Sequence, residues 1–274
     1  MTDSPPVTRI SQLFARLKAG GKKGLIAYIT AGDPSPEDTA DLVLALERGG
    51  ADLIELGVPF SDPVADGPVI QAASERALRA GTTLRKVLAI AREIRNASDV
   101  PLLLFSYINP ILRYGIESLA RDAAEAGIDG CLITDLSVEE AHAYTGAMHA
   151  HGLDTVFLAA PTSTARRLDL VAKYSTGFVY LVSRTGVTGE REALSGALGP
   201  LVASVRKITT LPLAVGFGIS TPEQVGQVGT LADAVVVGSA FVRMIERNAA
   251  NASLPVQLES MARELKHGFA LKAT

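Results

Sequence analysis

Short, unbroken apolar runs alternate along this chain with longer stretches in which apolar residues recur every three or four positions. Ile10, Leu13, Phe14 and Leu17 fall on one face of a helix predicted over 8–19, which Gly20 and Gly21 stop. The apolar runs predict strands at 25–30, 51–55, 101–105, 130–134, 155–159, 178–182, 212–215 and 234–237. Helical spacing fills the intervals at 35–48, 68–80, 83–95, 116–126, 138–151, 162–174, 199–208 and 221–228, with two more at 240–248 and 256–269. Ser35 with Asp38 suits the first of these helix starts, and Ser163 or Thr164 suits another. Two intervals read as long loops, 106–114 and 183–195.

The strands are apolar throughout and do not alternate with polar residues, a pattern that a sheet buried on both faces requires. Eight strand–helix units in 274 residues have the size and rhythm of a (β/α)8 TIM barrel. A doubly wound open sheet is the rival, but it usually has fewer strands and no closure. No composition break or long polar linker divides the chain, so it reads as a single domain over 1–274. The barrel carries an extra N-terminal helix and extra helices after strands 2 and 8.

Composition narrows the partners. The chain is 47% apolar, enough for a large core, and its net charge of −3 argues against a nucleic-acid partner. No apolar stretch approaches a membrane span, and residues 1–7 hold no apolar run of the signal-peptide kind. A single cysteine, Cys131, cannot form an internal disulfide, which fits a reducing, cytoplasmic setting. The four histidines fall away from the strand ends, and no His/Cys/Asp spacing suggests a metal.

In a barrel of this kind the chemistry lies at the C-terminal ends of the strands. The polar residues there are Glu55 and Asp66 after the second strand, Tyr107 and Asn109 after the third, Asp135 after the fourth and Tyr180 at the end of the sixth. Glu55 admits two readings. Held among Leu, Ile and Phe at the barrel mouth, it would have its pKa raised by desolvation and could serve as an acid/base. Alternatively it is a structural carboxylate paired with an arginine inside the barrel. Asp62 reads as a turn former. The turns Gly216-Phe217-Gly218-Ile219-Ser220 and Val237-Gly238-Ser239-Ala240 stand where barrels bind phosphate, and neither holds Lys or Arg, which points to a site built from backbone amides.

The stretch Glu55-Leu56-Gly57-Val58-Pro59-Phe60-Ser61-Asp62-Pro63-Val64-Ala65-Asp66-Gly67-Pro68 resembles the signature of the tryptophan synthase alpha-chain family. So do Tyr28-Ile29-Thr30-Ala31-Gly32-Asp33-Pro34, Tyr107-Ile108-Asn109-Pro110-Ile111, the run from Tyr180 to Gly189, and the Gly216–Ser220 turn. The resemblance implies a lyase that cleaves indole-3-glycerol phosphate to indole and D-glyceraldehyde 3-phosphate by a retro-aldol reaction. It makes Glu55 the acid/base, Asp66 the partner of the indole N–H, and Tyr180 a neighbour of Glu55. It places Tyr28, Phe105, Tyr107, Asp135 and Thr188 on the indole side, and Gly189, Gly218, Gly238 and Ser239 around the phosphate. It implies no cofactor in this chain. Pyridoxal phosphate would belong to a beta chain with which the chain forms an alpha2-beta2 complex. A stand-alone lyase releasing free indole shares these residues and is the alternative. Two positions depart from the family pattern: Leu136-Ser137 follows Asp135 where the family usually ends that pair in Pro, and Tyr28 stands where Phe is common.

Overall fold

The apolar runs become β1 (Gly24–Thr30), β2 (Leu53–Gly57), β3 (Leu102–Ser106), β4 (Gly130–Ile133), β5 (Asp154–Ala159), β6 (Val179–Val182), β7 (Leu213–Gly216) and β8 (Ala234–Val237). Each strand pairs in parallel with the next, and β8 pairs with β1, so the sheet closes into a barrel. This is the (β/α)8 architecture the apolar runs predict. The computed structural model describes residues 7–182, 192–216 and 218–271. The helices are α1 (Arg9–Ala19), α2 (Thr39–Arg48), α3 (Pro68–Arg79), α4 (Leu84–Arg95), α5 (Ile108–Tyr114), α6 (Ile116–Glu125), α7 (His142–Ala150), α8 (Ala165–Tyr174), α9 (Glu192–Arg206), α10 (Pro222–Gly229), α11 (Ser239–Asn248) and α12 (Leu254–His267). None of them is long and apolar enough to cross a membrane.

Two cores follow from the alternation of side chains along each strand. One set, including Leu25, Ala27, Ile29, Ile54 and Leu56, packs outward against the helices. The other, including Ile26, Leu53, Leu103, Leu132, Val156 and Phe178, points inward. The inward set meets Ile10, Leu13, Phe14 and Leu17 of α1, which closes the N-terminal end of the barrel. Phe14 and Phe178 have ring centroids 5.6 Å apart. Thr8 caps α1 by accepting from the Ser11 N–H at 3.1 Å. The same hydroxyl donates to the buried Asp154, which also accepts from Thr176 at 2.7 Å. One residue thus starts the helix and pins it to the barrel floor.

Three stretches differ from the periodicity. Residues 106–114, expected as a loop, contain α5, in which Pro110 occupies the third helical position. Proline is tolerated in a first turn because those N–H groups have no intrahelical acceptor. The helix expected over 199–208 begins at Glu192 and runs through Pro200. Leu198, Leu201 and Val205 are each buried at helical spacing, and that burial outweighs the bond the proline removes. The helix expected over 138–151 is split into a short 3-10 turn, Val138–Glu140, and α7.

Replacing Phe14 by Ala is expected to cost about 3–5 kcal/mol of stability, because it empties the plug beneath the barrel. Denaturant unfolding would register the loss, while KM should stay near the parent value because the plug is at the far end from the strand C-termini.

Candidate active site

The alternation that builds the inner core also delivers the polar side chains. Glu55 lies two residues beyond Leu53, Phe105 two beyond Leu103, Tyr180 two beyond Phe178 and Tyr28 two beyond Ile26, so all share the inward face. Tyr28 and Glu55 are register partners on β1 and β2, and Tyr28 meets Phe105 edge-on at 5.2 Å. Glu55 is 1% exposed. Among the described residues neither of its carboxylate oxygens has a hydrogen-bond partner and no arginine pairs with it. Burial in this apolar wall pushes its pKa up to about 8. A carboxyl in that state holds its proton near neutral pH and can release it when charge develops beside it.

Asp66 sits at the end of the loop that follows β2. Its carboxylate accepts from the Tyr107 hydroxyl at 2.9 Å. Partial burial raises it to about 6, against the opposing pull of that hydrogen bond. The Tyr107 oxygen also accepts from the Ala65 N–H at 3.0 Å, and its ring lies 5.2 Å from that of Phe60. One buried tyrosine therefore shapes the loop from three directions. Gln71, in the first turn of α3, donates a hydrogen bond from its side-chain amide to the Asp66 backbone carbonyl at 2.9 Å. Asp62 is exposed and accepts from Ser61 at 2.6 Å, as a turn residue would.

Glycine provides the room for both inward tyrosines. A Cβ on Gly57 would lie 2.2 Å from the Tyr28 hydroxyl, and one on Gly216 would lie 2.3 Å from the Tyr180 hydroxyl. The pattern is readable from register: Thr30 pairs with Gly57 and Val182 with Gly216, and each tyrosine lies two residues before the paired position. Gly57, Gly216, Phe60 and Gln71 are contributors that strand ends alone do not single out. The Tyr28 hydroxyl lies 3.3 Å from that of Thr30. Burial raises the Tyr180 phenol well above its ordinary range, and the nearby Glu55 charge raises it further.

Gly218 follows β7 with φ +70°, and no described residue lies within 4 Å of a Cβ built there. Gly238 precedes Ser239 at the start of α11, where the first N–H groups have no intrahelical acceptor. The two turns lie on neighbouring strands of the barrel. Asp135 is exposed and accepts from the Ile108 N–H at 2.7 Å, which caps α5. It therefore ties the loop after β4 to the loop after β3. Thr188 and Gly189 lie outside the described residues. Among the described residues no group of His, Cys, Asp and Glu side chains could hold a metal ion.

A family model described as tryptophan synthase alpha chain matches residues 14–270. A tryptophan synthase alpha chain from Solibacter usitatus is 69% identical over 267 residues, covering 97% of this chain and 100% of that one. One from Methanosarcina mazei is 49% identical and covers 95% of this chain and 94% of its own length. The crystal structure of tryptophan synthase subunit alpha from Legionella pneumophila superposes with a TM-score of 0.87 at 39% identity, covering 96% of this chain and 99% of that one.

Replacing Glu55 by Gln tests the desolvation directly. The folded state holds a proton at Glu55 that the unfolded chain releases above about pH 4.5, so this group's stabilisation falls as pH rises from 4.5 to about 8. The variant carries no charge at any pH. It should be more stable than the parent at pH 8, by on the order of a few kcal/mol and with a higher melting temperature, and match it near pH 4.5. Melting curves at the two pH values would decide the matter.

Proposed function

The chain belongs to the tryptophan synthase alpha-chain family and cleaves indole-3-glycerol phosphate to indole and D-glyceraldehyde 3-phosphate, and on that premise we propose that Glu55, Asp66 and Tyr180 carry the reaction. The observation that supports the reading most is the buried Glu55 carboxyl with no hydrogen-bond partner among the described residues. In the protonated state it donates to C3 of the indole ring. The ring nitrogen becomes cationic, and its N–H bond to the Asp66 carboxylate strengthens as it does so. An interaction that strengthens along the reaction coordinate favours the transition state over the bound substrate. The bond from C3 to the glycerol carbon then breaks, and its electron pair restores the aromatic ring. The hydroxyl on that carbon becomes the aldehyde, and its proton returns to the Glu55 carboxylate. The acid is regenerated and no redox step is required.

Asp66 must be ionised to accept from the N–H, and Glu55 must start protonated. Their raised values, about 6 and about 8, open a window between them in which both conditions hold. Tyr180 borders Glu55 and excludes water from it. Tyr28, Phe105 and Tyr107 form the aromatic wall, with Asp135 and Thr188 completing the indole side. The phosphate is held by the amides of Gly189, Gly218, Gly238 and Ser239, with the N-terminus of α11 supplying the positive end of a helix dipole.

The chain acts as one domain without a cofactor of its own. The family implies a beta-chain partner. The assembly is alpha2-beta2, with pyridoxal phosphate on the beta chain, and it works in the cytoplasm. A stand-alone lyase would share the site but not the partner.

Glu55→Gln should lower kcat for indole formation by about 10²–10⁴-fold, since it removes the proton donor. The parent kcat/KM should be bell-shaped in pH, rising through about 6 as Asp66 ionises and falling above about 8 as Glu55 loses its proton. Unchanged indole release from the Gln variant would refute the role of Glu55. Size-exclusion chromatography with a beta chain tests the partner: co-elution and faster cleavage are expected, and their absence would favour the stand-alone enzyme.

A further inference from the structure

An ion-pair network outside the substrate pocket joins the two helices that flank it. Asp33, in the turn after β1, is 1% exposed and receives a two-pronged contact from Arg76 of α3. The Arg76 Nε donates to Oδ1 at 2.8 Å and Nη2 to Oδ2 at 2.9 Å. The remaining nitrogen, Nη1, donates to Glu246 of α11 at 2.8 Å. Arg76 lies one turn beyond Ala73, and Glu246 one turn beyond Val242. Ala73 and Val242 form one buried cluster with Tyr28. The start of α3 holds the Asp66 loop through Gln71, while the start of α11 is Ser239 beside Gly238.

We propose that Arg76 is a positioning residue that sets the separation between the Asp66 loop and the phosphate turn. The inference rests on the reading of Gly238 and Ser239 as phosphate ligands. Asp33 is the fixed point, because it is buried in the turn that follows β1. The planar guanidinium holds it with two parallel bonds and extends a third to Glu246, a geometry lysine cannot supply. Glu246 is seven residues from Ser239, about 10 Å along the helix. A contact there, together with Val242 nearer the start, fixes the axis of α11 at two points. Substrate spans from the Asp66 loop to the Ser239 turn, so a sub-ångström drift between the two helices is felt as misfit at one end. The Arg76–Glu246 arm is partly exposed, and such pairs contribute little to stability. Its effect is therefore separable from folding.

Glu246→Gln cuts the arm and leaves the Asp33 contact in place. It should raise KM for indole-3-glycerol phosphate by about three- to ten-fold, and the Kd of glycerol 3-phosphate by a similar factor, with kcat changed by less than about two-fold. The melting temperature should stay with the parent. Arg76→Lys should reproduce the KM increase, and adding Glu246→Gln to it should raise KM no further, because the arm is already gone. Parent-like KM and Kd in Glu246→Gln would overturn the proposal, as would a lower melting temperature without a KM change. Ser239→Asp is the control, placing a negative charge where the phosphate sits. If it weakens glycerol 3-phosphate and Glu246→Gln does not, the clamp alone fails. If Ser239→Asp has no effect, the phosphate assignment fails and the clamp falls with it.

Discussion

A buried carboxyl group with no hydrogen-bond partner among the described residues is the constraint around which this site is arranged. Water would solvate Glu55 as an anion, and the barrel removes the water without offering a donor among the described residues. The group responds by holding its proton to a higher pH. That state is costly to fold around and useful to react with. The rest of the structure maintains it: β1 and β3 supply Tyr28 and Phe105 as a dry wall, and Gly57 and Gly216 give the tyrosine rings room to close over the pocket.

The two ends of the barrel treat polar groups in opposite ways. At the N-terminal end, Asp154 is bonded by Thr8 and Thr176, and Asp129 by Arg9, Arg95 and the Leu102 N–H. Those carboxylates are satisfied and hold α1 in place. At the C-terminal end, among the described residues, Glu55 is left unsatisfied and Asp66 has one phenolic donor. Stability is concentrated where no chemistry occurs, and the unsatisfied groups where substrate would complete them. The difference between the two carboxylates of the site has the same origin. Asp66, on a loop with a hydroxyl partner, titrates lower than Glu55, fully enclosed on a strand. Two acids of one chemical type thereby acquire two protonation states at one pH.

Much of this was legible in the chain. Eight apolar runs separated by helical spacing led to the barrel, because strands buried on both faces cannot alternate. The barrel placed Glu55, Asp66, Tyr107, Asp135 and Tyr180 at one end, because side chains at strand C-termini share a rim. The periodicity misled in three places. Pro110 read as loop and belongs to α5; Gly199 and Pro200 read as a helix start and lie inside α9; and the stretch before α7 read as α-helix and holds a 3-10 turn. In the second case long-range burial decided, and burial is a property of neighbours distant in sequence.

The sequence by itself determined the strand count, the rim residues and the family, since each depends on residue type at a fixed spacing. It left Glu55 open between a catalytic acid and a structural carboxylate paired with an arginine. Only the tertiary structure shows that, among the described residues, no arginine reaches it, because the donors and the water around a carboxyl are set by strands far apart in the chain. The same holds for the Tyr107 contacts to Ala65, Asp66 and Phe60, and for the Arg76 bridge from Asp33 to Glu246. These contacts link residues up to 170 positions apart. No local pattern encodes such a distance; closure of the barrel does.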